Sequence, residues 1–321
     1  MSNRGELVCA ALSDGRRLWT LDMIGQLGIF KRDVNDAGSL APSPIVEGDL
    51  VFCVTGNGGD FDDSQAKGWS VPRPDAPSFI AVNKLTGKVV WTSNAPGRNV
   101  SYGQWSTPAI ASVGCRDEVL FPGGDGLLYA FDPPTGKLLW QVDCRQPHLP
   151  GGMDDFIVAP PLVDGSTAYV SLNRDFEQGA GRPHALVAID LARHAVRWSL
   201  VDRDFDGTFG PMAIADGVLY AVATSGKLLA VDAANGKILW SRQVEDEGQI
   251  RGGLYLSDGK IYVAGDSGVI VLASRCGCAL ASYDVREWTA DAAVVVAQET
   301  LYVAGRERVW ALKAWNSPAV K

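Results

Sequence analysis

AFDPPTGKLLW, residues 130–140, returns almost unchanged as AVDAANGKILW at residues 230–240. Two further stretches keep the same order of a small residue, an Asp or Asn, a turn and a Trp: AVNKLTGKVVW (81–91) and AIDLARHAVRW (188–198). Weaker copies flank these, namely CAALSDGRRLW (9–19) and VLASRCGCALA (271–281). A motif that recurs in this way indicates a fold built by repeating one small structural unit.

Each copy of the motif predicts two β-strands joined by a tight turn. An apolar segment leads into an Asp or Asn, whose side chain can bond turn amides, and a Gly follows where positive φ is needed. Ahead of each copy lies another strand pair, as in TPAIASVGCRDEVLFP (107–122) and GPMAIADGVLYAV (210–222). Four antiparallel strands per unit predict the blades of an all-β propeller, with residues 1–321 as a single propeller domain.

The motif resembles the pyrroloquinoline-quinone-like propeller repeat of quinoprotein alcohol dehydrogenases and of the lipoprotein of the outer-membrane β-barrel assembly machinery. The resemblance covers nearly the whole chain. SPIVEGDLVFCVTGNG (43–58) and FPGGDGLLYAFDPPTGKLLW (121–140) look similar to uncharacterised secreted bacterial propellers of that superfamily. In the family the repeat Trp packs between adjacent blades. The resemblance therefore implies structural roles for Trp19, Trp91, Trp140, Trp198 and Trp240.

The number of blades is left open by the strand pattern. Inner strand pairs begin near residues 43, 107, 158, 211, 252 and 291, whereas the third strand of the unit occurs at 6, 79, 128, 186, 228, 269 and 309. Six blades result if the pair at 291–304 joins the hairpin at 6–21, which leaves 308–313 as a surplus strand. Seven blades, or an incomplete eight-blade propeller, are the alternatives. In each case the terminal strands lie near the ring closure, where joining them would remove open sheet edges.

Composition and charge limit the partners. The 321 residues are 46% hydrophobic and 21% charged, which is typical of a globular chain with a sizeable core. A formal net charge of −8 disfavours nucleic acid, and no apolar run approaches the ~20 residues of a membrane span. We therefore expect neither nucleic-acid binding nor membrane insertion.

Localisation depends on the N-terminus. The start, MSNRGELVCA, lacks a long apolar segment followed by a small-residue cleavage site. If Met1 is the native start, we expect a cytoplasmic protein. If the sequence is a fragment of a longer chain, the family resemblance implies a periplasmic or secreted one.

The cysteines argue against several cofactors. Cys-x-x-Cys pairs are missing, so neither a zinc ribbon nor a c-type haem site is predicted. Quinone-dependent members of the resembled family carry adjacent cysteines over the cofactor, which this sequence lacks, so we predict no cofactor and no pyrroloquinoline quinone. Cys276 and Cys278 could take part in redox or metal chemistry, but they supply only two of the ligands that a zinc site needs.

Strand parity assigns every connection to one end of the blades. First-to-second and third-to-fourth turns lie at one end, which we call the short-turn end. Second-to-third and blade-to-blade connections lie at the other, the long-loop end. The long connections are 23–42, 55–76, 94–106, 143–157, 172–184 and 200–210. Long loops on a rigid scaffold are where function concentrates, so we expect binding at the long-loop end.

The long connections supply the candidate site residues. A weak candidate for calcium is the acidic set Asp60, Asp62 and Asp63, which lacks the pattern of a twelve-residue calcium loop. The candidate ligand or partner residues combine aromatic anchors with mixed charges, a composition typical of recognition sites. They are Trp69, Trp105, Asp154, Asp155, Arg174, Asp175, Glu177, Arg182 and His184. A solvated surface of exposed ion pairs is the alternative interpretation.

Two functions are compatible with these features. The first is a non-catalytic propeller that binds a protein or a polar small molecule at its long-loop end. The second is an enzyme with a carboxylate-lined pocket at the channel mouth, dependent on a divalent cation. We find no Ser-His-Asp order, phosphate loop or flavin fingerprint, which favours the first.

Overall fold

The computed structural model describes residues 1–2, 4–31, 42–62, 68–101, 103–145, 155–174, 184–202, 205–245, 250–265, 268–284, 293–305 and 308–313. Two compact units result from the backbone contacts, Met1–Val201 and Asp202–Lys321, and each is described by itself. The prediction of one domain over 1–321 stays a prediction.

Unit 1 consists almost entirely of antiparallel strands. In chain order they are β1 (Glu6–Ala10), β2 (Arg17–Asp22), β3 (Ile45–Glu47), β4 (Leu50–Val54), β5 (Asp60–Asp62), β6 (Gly68–Ser70), β7 (Phe79–Asn83), β8 (Val89–Ser93), β9 (Ala109–Val113), β10 (Arg116–Pro122), β11 (Leu127–Phe131), β12 (Leu138–Asp143), β13 (Asp155–Ile157), β14 (Leu162–Asp164), β15 (Thr167–Arg174), β16 (His184–Asp190) and β17 (Ala195–Asp202). A short helix, α1 (Met23–Leu27), follows β2, and a 3₁₀ turn covers Gly97–Asn99.

The sheets of unit 1 follow the predicted meander. β1 pairs with β2, β3-β4-β7-β8 form one four-stranded sheet, and β9 to β12 form another in chain order. In the next sheet β13 and β14 both pair with β15, which is followed by β16 and β17. β5 and β6 form a separate hairpin inside the connection predicted as a loop at 55–76.

Unit 2 repeats the same arrangement. Its strands are β18 (Ala213–Ala215), β19 (Val218–Val222), β20 (Lys227–Asp232), β21 (Ile238–Gln243), β22 (Leu254–Ser257), β23 (Lys260–Gly265), β24 (Gly268–Ala273), β25 (Ala279–Tyr283), β26 (Ala293–Ala297), β27 (Thr300–Ala304) and β28 (Val309–Lys313). β18–β21 and β22–β25 are four-stranded meanders, and β26–β28 form a three-stranded sheet. The interpretation of 308–313 as a surplus strand is wrong, because β28 pairs with β27 over its whole length. The all-β propeller class is confirmed.

Burial explains why the inner strands read as continuous apolar runs. β4 and β7 are covered on both faces, so Phe52 and Phe79 are fully buried. Phe79 stacks on Phe121 of β10 with ring centroids 4.7 Å apart, and Phe131 of β11 closes the same cluster. The outer strands β8 and β12 alternate between buried and exposed residues, as expected for strands with one face in water.

The turn between the third and fourth strands has the same backbone in most copies, and we call it the repeat turn. In the turn after β11, Asp132 N donates to Lys137 O (2.9 Å) and Gly136 N donates to Asp132 O (2.9 Å). The same pair of bonds closes the repeat turns that start at Asn83, Asp232 and Ala273. The motif therefore specifies a turn with defined backbone bonds.

The repeat Trp of one blade packs under the repeat turn of the next. Trp91 donates its Nε1–H to Pro133 O (2.7 Å), and its indole lies so close to Gly136 that a Cβ added there would be 2.5 Å from the ring. Trp19 makes the corresponding bond to Lys84 O (2.9 Å), and Trp240 lies under Gly277. Trp198 is half-buried beside Tyr169, with ring centroids 5.9 Å apart.

Trp140 packs against a repeat turn that lacks the motif glycine. His194 occupies the position of the motif glycine, with φ of 53°, and its ring stacks on Trp140 at a centroid distance of 5.0 Å. The indole N–H of Trp140 donates to the buried carboxylate of Glu118 (2.6 Å), which also accepts from Arg116 (2.8 Å). How much each repeat Trp stabilises the fold stays a prediction.

Candidate functional site

Unit 1 brings three of the predicted partner residues to one corner of its long-loop end. Trp105, just before β9, is half-buried and packs edge-on against Phe156 of β13, with ring centroids 6.0 Å apart. β13 pairs with the last residues of β15, so that Asp155 lies opposite Arg174 and Phe156 lies opposite Asn173. Asp155 and Arg174 are therefore neighbours in this sheet, and Trp105 reaches the same corner through its contact with Phe156, although the three residues are far apart in the sequence.

Asn173 is a site residue that sequence reasoning missed. Its side chain is fully buried, and neither Oδ1 nor Nδ2 has a hydrogen-bond partner among the described residues. A buried polar group left unpaired costs about 1–3 kcal/mol, so such groups call for an explanation. The one sequence signal is its position, because Asn173 is the first amide after the run TAYVSL (167–172) that forms most of β15.

Gln104, next to Trp105, is a second buried amide that the sequence did not single out. Its Nε2 donates to Asn57 O (2.6 Å) and to Ser78 Oγ (2.8 Å), so the side chain is fixed. Its Oε1 is buried and has no partner within the part of the chain that the structure describes. Gln104 thus holds one free acceptor in a defined orientation.

The surrounding loop is held rigidly by Asn57. The Oδ1 of Asn57 accepts from Phe30 N (2.9 Å), and its Nδ2 donates to Arg73 O (3.0 Å). Thr55, in the same stretch, donates its hydroxyl to Pro77 O (2.8 Å). These bonds join the segments before and after the β5–β6 hairpin, so the backbone around Gln104 is organised before any ligand arrives.

A buried carboxyl lies in the turn between β10 and β11. Asp125 accepts hydrogen bonds from Tyr129 Oη (2.7 Å) and from Leu127 N (3.2 Å). Burial raises the pKa of Asp125 above its ordinary value, against the lowering effect of these bonds. Burial and the neighbouring Asp125 carboxylate also raise the pKa of Tyr129. The same turn supports the corner described above, because Gly123 O accepts from Ile157 N (3.4 Å).

The remaining predicted site residues are only partly described. Trp69 lies on β6 opposite Phe61 of β5, and His184 is the first residue of β16. Asp60 and Asp62 are the end residues of β5 rather than loop residues. Five predicted residues lie outside the described part of the chain, namely Asp63, Asp154, Asp175, Glu177 and Arg182.

Among the residues that the structure describes, no three His, Cys, Asp or Glu side chains are grouped as metal ligands. The calcium hypothesis for Asp60, Asp62 and Asp63 stays a prediction. Within the same described ranges, no helix has the length and apolar character needed to cross a membrane.

The repeat and the sheet order match known proteins. A family model described as outer membrane protein assembly factor BamB matches residues 1–241 and, in a second alignment, 182–317. The chain belongs to this family. A quinoprotein ethanol dehydrogenase from Pseudomonas aeruginosa is 26% identical over 133 residues, which are 37% of this chain and 21% of the dehydrogenase. The resemblance to the pyrroloquinoline-quinone-like repeat is thereby confirmed.

Solved structures show the same fold at low identity. BamB from Moraxella catarrhalis has a TM-score of 0.67 at 17% identity, covering 94% of this chain and 77% of that one. Sqt1 from Saccharomyces cerevisiae has a TM-score of 0.65 at 11% identity, covering 97% and 79%. The chain matches only 21% of the length of the P. aeruginosa dehydrogenase, so that enzyme's activity does not transfer with the repeat.

Proposed function

We propose that this protein is a non-catalytic propeller scaffold that binds a protein or a polar small molecule at its long-loop end. The observation that carries the proposal is the buried carboxamide of Asn173, which has no hydrogen-bond partner among the described residues and lies opposite Phe156, on which Trp105 packs. Membership of the BamB family supports a scaffold, since that family model is described as an assembly factor.

The corner supplies the chemistry that peptide recognition uses. The Asn173 carboxamide offers one acceptor and a donor group, which are the complement of a backbone amide. The half-buried ring of Trp105 packs on Phe156, the residue opposite Asn173, and offers an apolar anchor at this corner. Arg174 is the last residue of β15. Aromatic residues and Arg are both enriched among binding hot spots. A ligand that bonds to Asn173 would recover the cost of leaving that group unpaired.

The test compares the two ends of the blades. Protein carrying Arg174→Ala, Arg182→Ala and His184→Ala together should lose the partners that immobilised wild-type protein retains. We expect the free energy of unfolding to change little, since polar substitutions away from the core are usually worth within about ±0.5 kcal/mol each. The matched control carries Lys88→Ala, Lys137→Ala and Lys237→Ala in the repeat turns and should retain every partner. If only the lysine set disrupts binding, the proposed end is wrong.

Beside the carboxylate-lined enzyme, a quinone-dependent dehydrogenase is a further competing function, and the cysteines of this chain argue against it. The resemblance implies adjacent cysteines over the quinone, whereas the two cysteines that are bonded here, Cys276 and Cys278, are separated by Gly277 in a repeat turn. We expect pyrroloquinoline quinone with calcium to leave the melting temperature unchanged. A ligand at a hundred times its dissociation constant would add about 2.7 kcal/mol, so a clear upward shift would restore the dehydrogenase hypothesis.

A further inference from the structure

The repeat turn between β24 and β25 contains a pair of cysteines in the positions that flank the motif glycine. Cys276 and Cys278 are exposed and joined by a disulfide, with Cα atoms 5.3 Å apart. Other copies have Thr-Gly-Lys at 86–88 and 135–137, and Asn-Gly-Lys at 235–237. The cysteine pair therefore replaces two polar residues at an accessible turn of the short-turn end.

The backbone of this turn is the one found in copies without cysteine. Ala273 N donates to Cys278 O (2.8 Å) and Gly277 N donates to Ala273 O (2.8 Å), as in the other repeat turns. Gly277 also lies against Trp240, where a Cβ would come within 2.7 Å of the ring. Because these interactions do not involve the sulfur atoms, the turn keeps both cysteines in bonding reach when the disulfide is reduced.

The turn also presents a donor to the first sulfur. Lys88 N and Lys137 N each donate to the Thr Oγ1 two residues earlier, at 3.3 Å in both cases. Cys278 N lies in the same position, 3.3 Å from Cys276 Sγ. The Sγ of Cys278 is 3.9 Å from Cys276 O, so a reduced Cys278 can donate its S–H there. The geometry thus suits a thiolate at Cys276 and a thiol at Cys278.

The charges around the turn favour the same assignment. In the turn after β11, the Asp132 carboxylate accepts from Thr135 Oγ1 and from Thr135 N. The cysteine turn has Ala273 at the position of that carboxylate, so the motif contributes no anion beside Cys276. Arg242 donates to Gly277 O (2.9 Å), which holds a cation at the backbone of the residue that separates the two cysteines. Nearby cations and hydrogen-bond donors stabilise thiolates.

We propose that Cys276 and Cys278 are a redox-active pair that exchanges two electrons with a dithiol of a partner protein. A thiolate of the dithiol attacks Cys278 Sγ, the Cys276–Cys278 bond breaks, and Cys276 leaves as a thiolate. The second thiolate of the partner then attacks the partner's first sulfur, which is bonded to Cys278 in the mixed disulfide. Cys278 leaves as a thiolate and takes up a proton. The partner dithiol is oxidised to a disulfide and the pair is reduced. The reverse reaction starts from the Cys276 thiolate.

The first experiment measures the redox equilibrium of the full chain. Protein is incubated in buffers of reduced and oxidised glutathione at several ratios, quenched with acid and alkylated, and the peptides are quantified by mass spectrometry. We expect the pair to change between disulfide and dithiol in one two-electron step as the ratio changes. Cys115, an exposed free cysteine, is the internal control and should form only mixed disulfides. A pair that stays oxidised in excess reduced glutathione, or cysteines that are glutathionylated independently, would overturn the proposal.

The second experiment tests the assignment of the thiolate with single cysteines. Iodoacetamide should alkylate Cys276 in the Cys278→Ser variant about three to ten times faster than Cys278 in the Cys276→Ser variant. A matched control, Thr135→Cys, places a cysteine in the same turn geometry beside Asp132, and it should react more slowly than Cys276. Equal rates at the three positions, or a faster Cys278, would contradict the assignment.

Discussion

The two ends of unit 1 differ in how completely their polar groups are paired. At the short-turn end, the repeat turn at Asp132 uses its side chain, its backbone and the Trp91 indole in hydrogen bonds. At the long-loop end, Asn173 and the Oε1 of Gln104 are buried without partners among the described residues. The repeat turn thus pairs its polar groups within the blades, whereas the described part of the long-loop end leaves buried amide atoms unpaired.

The largest loss of stability is expected from truncating Trp140, the repeat Trp that donates to a buried carboxylate. Trp140→Ala should lower the free energy of unfolding by about 3–5 kcal/mol, because it leaves a large cavity. The Glu118 carboxylate also loses its indole donor. Chemical denaturation of both proteins measures the difference. A loss below about 1 kcal/mol would show that the short-turn end does not depend on its Trp residues.

A smaller loss should follow from filling the space under a repeat turn. Gly136→Ala adds a Cβ within 2.5 Å of Trp91 at a φ of 69°, so we expect a cost of roughly 2–4 kcal/mol. Gly165→Ala is the matched control, because its φ is 53° but nothing lies within 4 Å of the added Cβ. It should cost only about 1–2 kcal/mol. Equal losses in denaturation would mean that the close contact with Trp91 is unimportant.

The two ends should also respond to pH with opposite sign. At the short-turn end, hydrogen bonds from Arg197 and Arg193 hold the pKa of Asp190 far below its usual value. The stabilisation that ionised Asp190 contributes is therefore complete above about pH 3.9, the pKa of Asp in the unfolded chain. It is lost as the pH falls through the lower pKa that Asp190 has in the folded protein. At the long-loop end, burial raises the pKa of Asp125, so its contribution is complete below about pH 3.9 and declines as the pH rises.

Denaturation of Asp190→Asn and Asp125→Asn from pH 3 to pH 7 checks this contrast. The free energy of unfolding that Asp190→Asn loses relative to the wild type should grow with pH. The free energy of unfolding of Asp125→Asn should instead rise relative to the wild type over the same range. If the free energy of unfolding depended on pH in the same way in both variants, the proposed electrostatic difference between the two ends would be wrong.

The smallest effect on stability is expected at the proposed binding corner. Asn173→Leu replaces an amide that has no partner among the described residues by an apolar side chain of similar size, so the free energy of unfolding should stay within about 0.5 kcal/mol or rise. Asn57→Leu is the control, since it breaks bonds to Phe30 and Arg73 and should cost about 2 kcal/mol or more. A large loss in Asn173→Leu would show that the amide is paired in the folded protein, and the proposed function would lose its main support.

The strands and turns of this protein could be predicted from its amino-acid sequence. The alternation of apolar residues, the Asp-x-x-x-Gly turn and the recurring Trp are local signals, and they predicted the strands and the all-β propeller class. Strand parity also placed Trp105 and Arg174 at the same end of the blades. These inferences succeed because a hairpin is specified by residues that lie next to each other in the chain.

Which groups meet and which stay unpaired follows from the three-dimensional arrangement and could not be predicted. The stacking of His194 on Trp140, the bond from Gln104 to Asn57 O and the packing of Trp105 on Phe156 all join segments distant in sequence. Whether a buried polar atom has a partner depends on the atoms that surround it in space, and residue type and spacing do not contain that information.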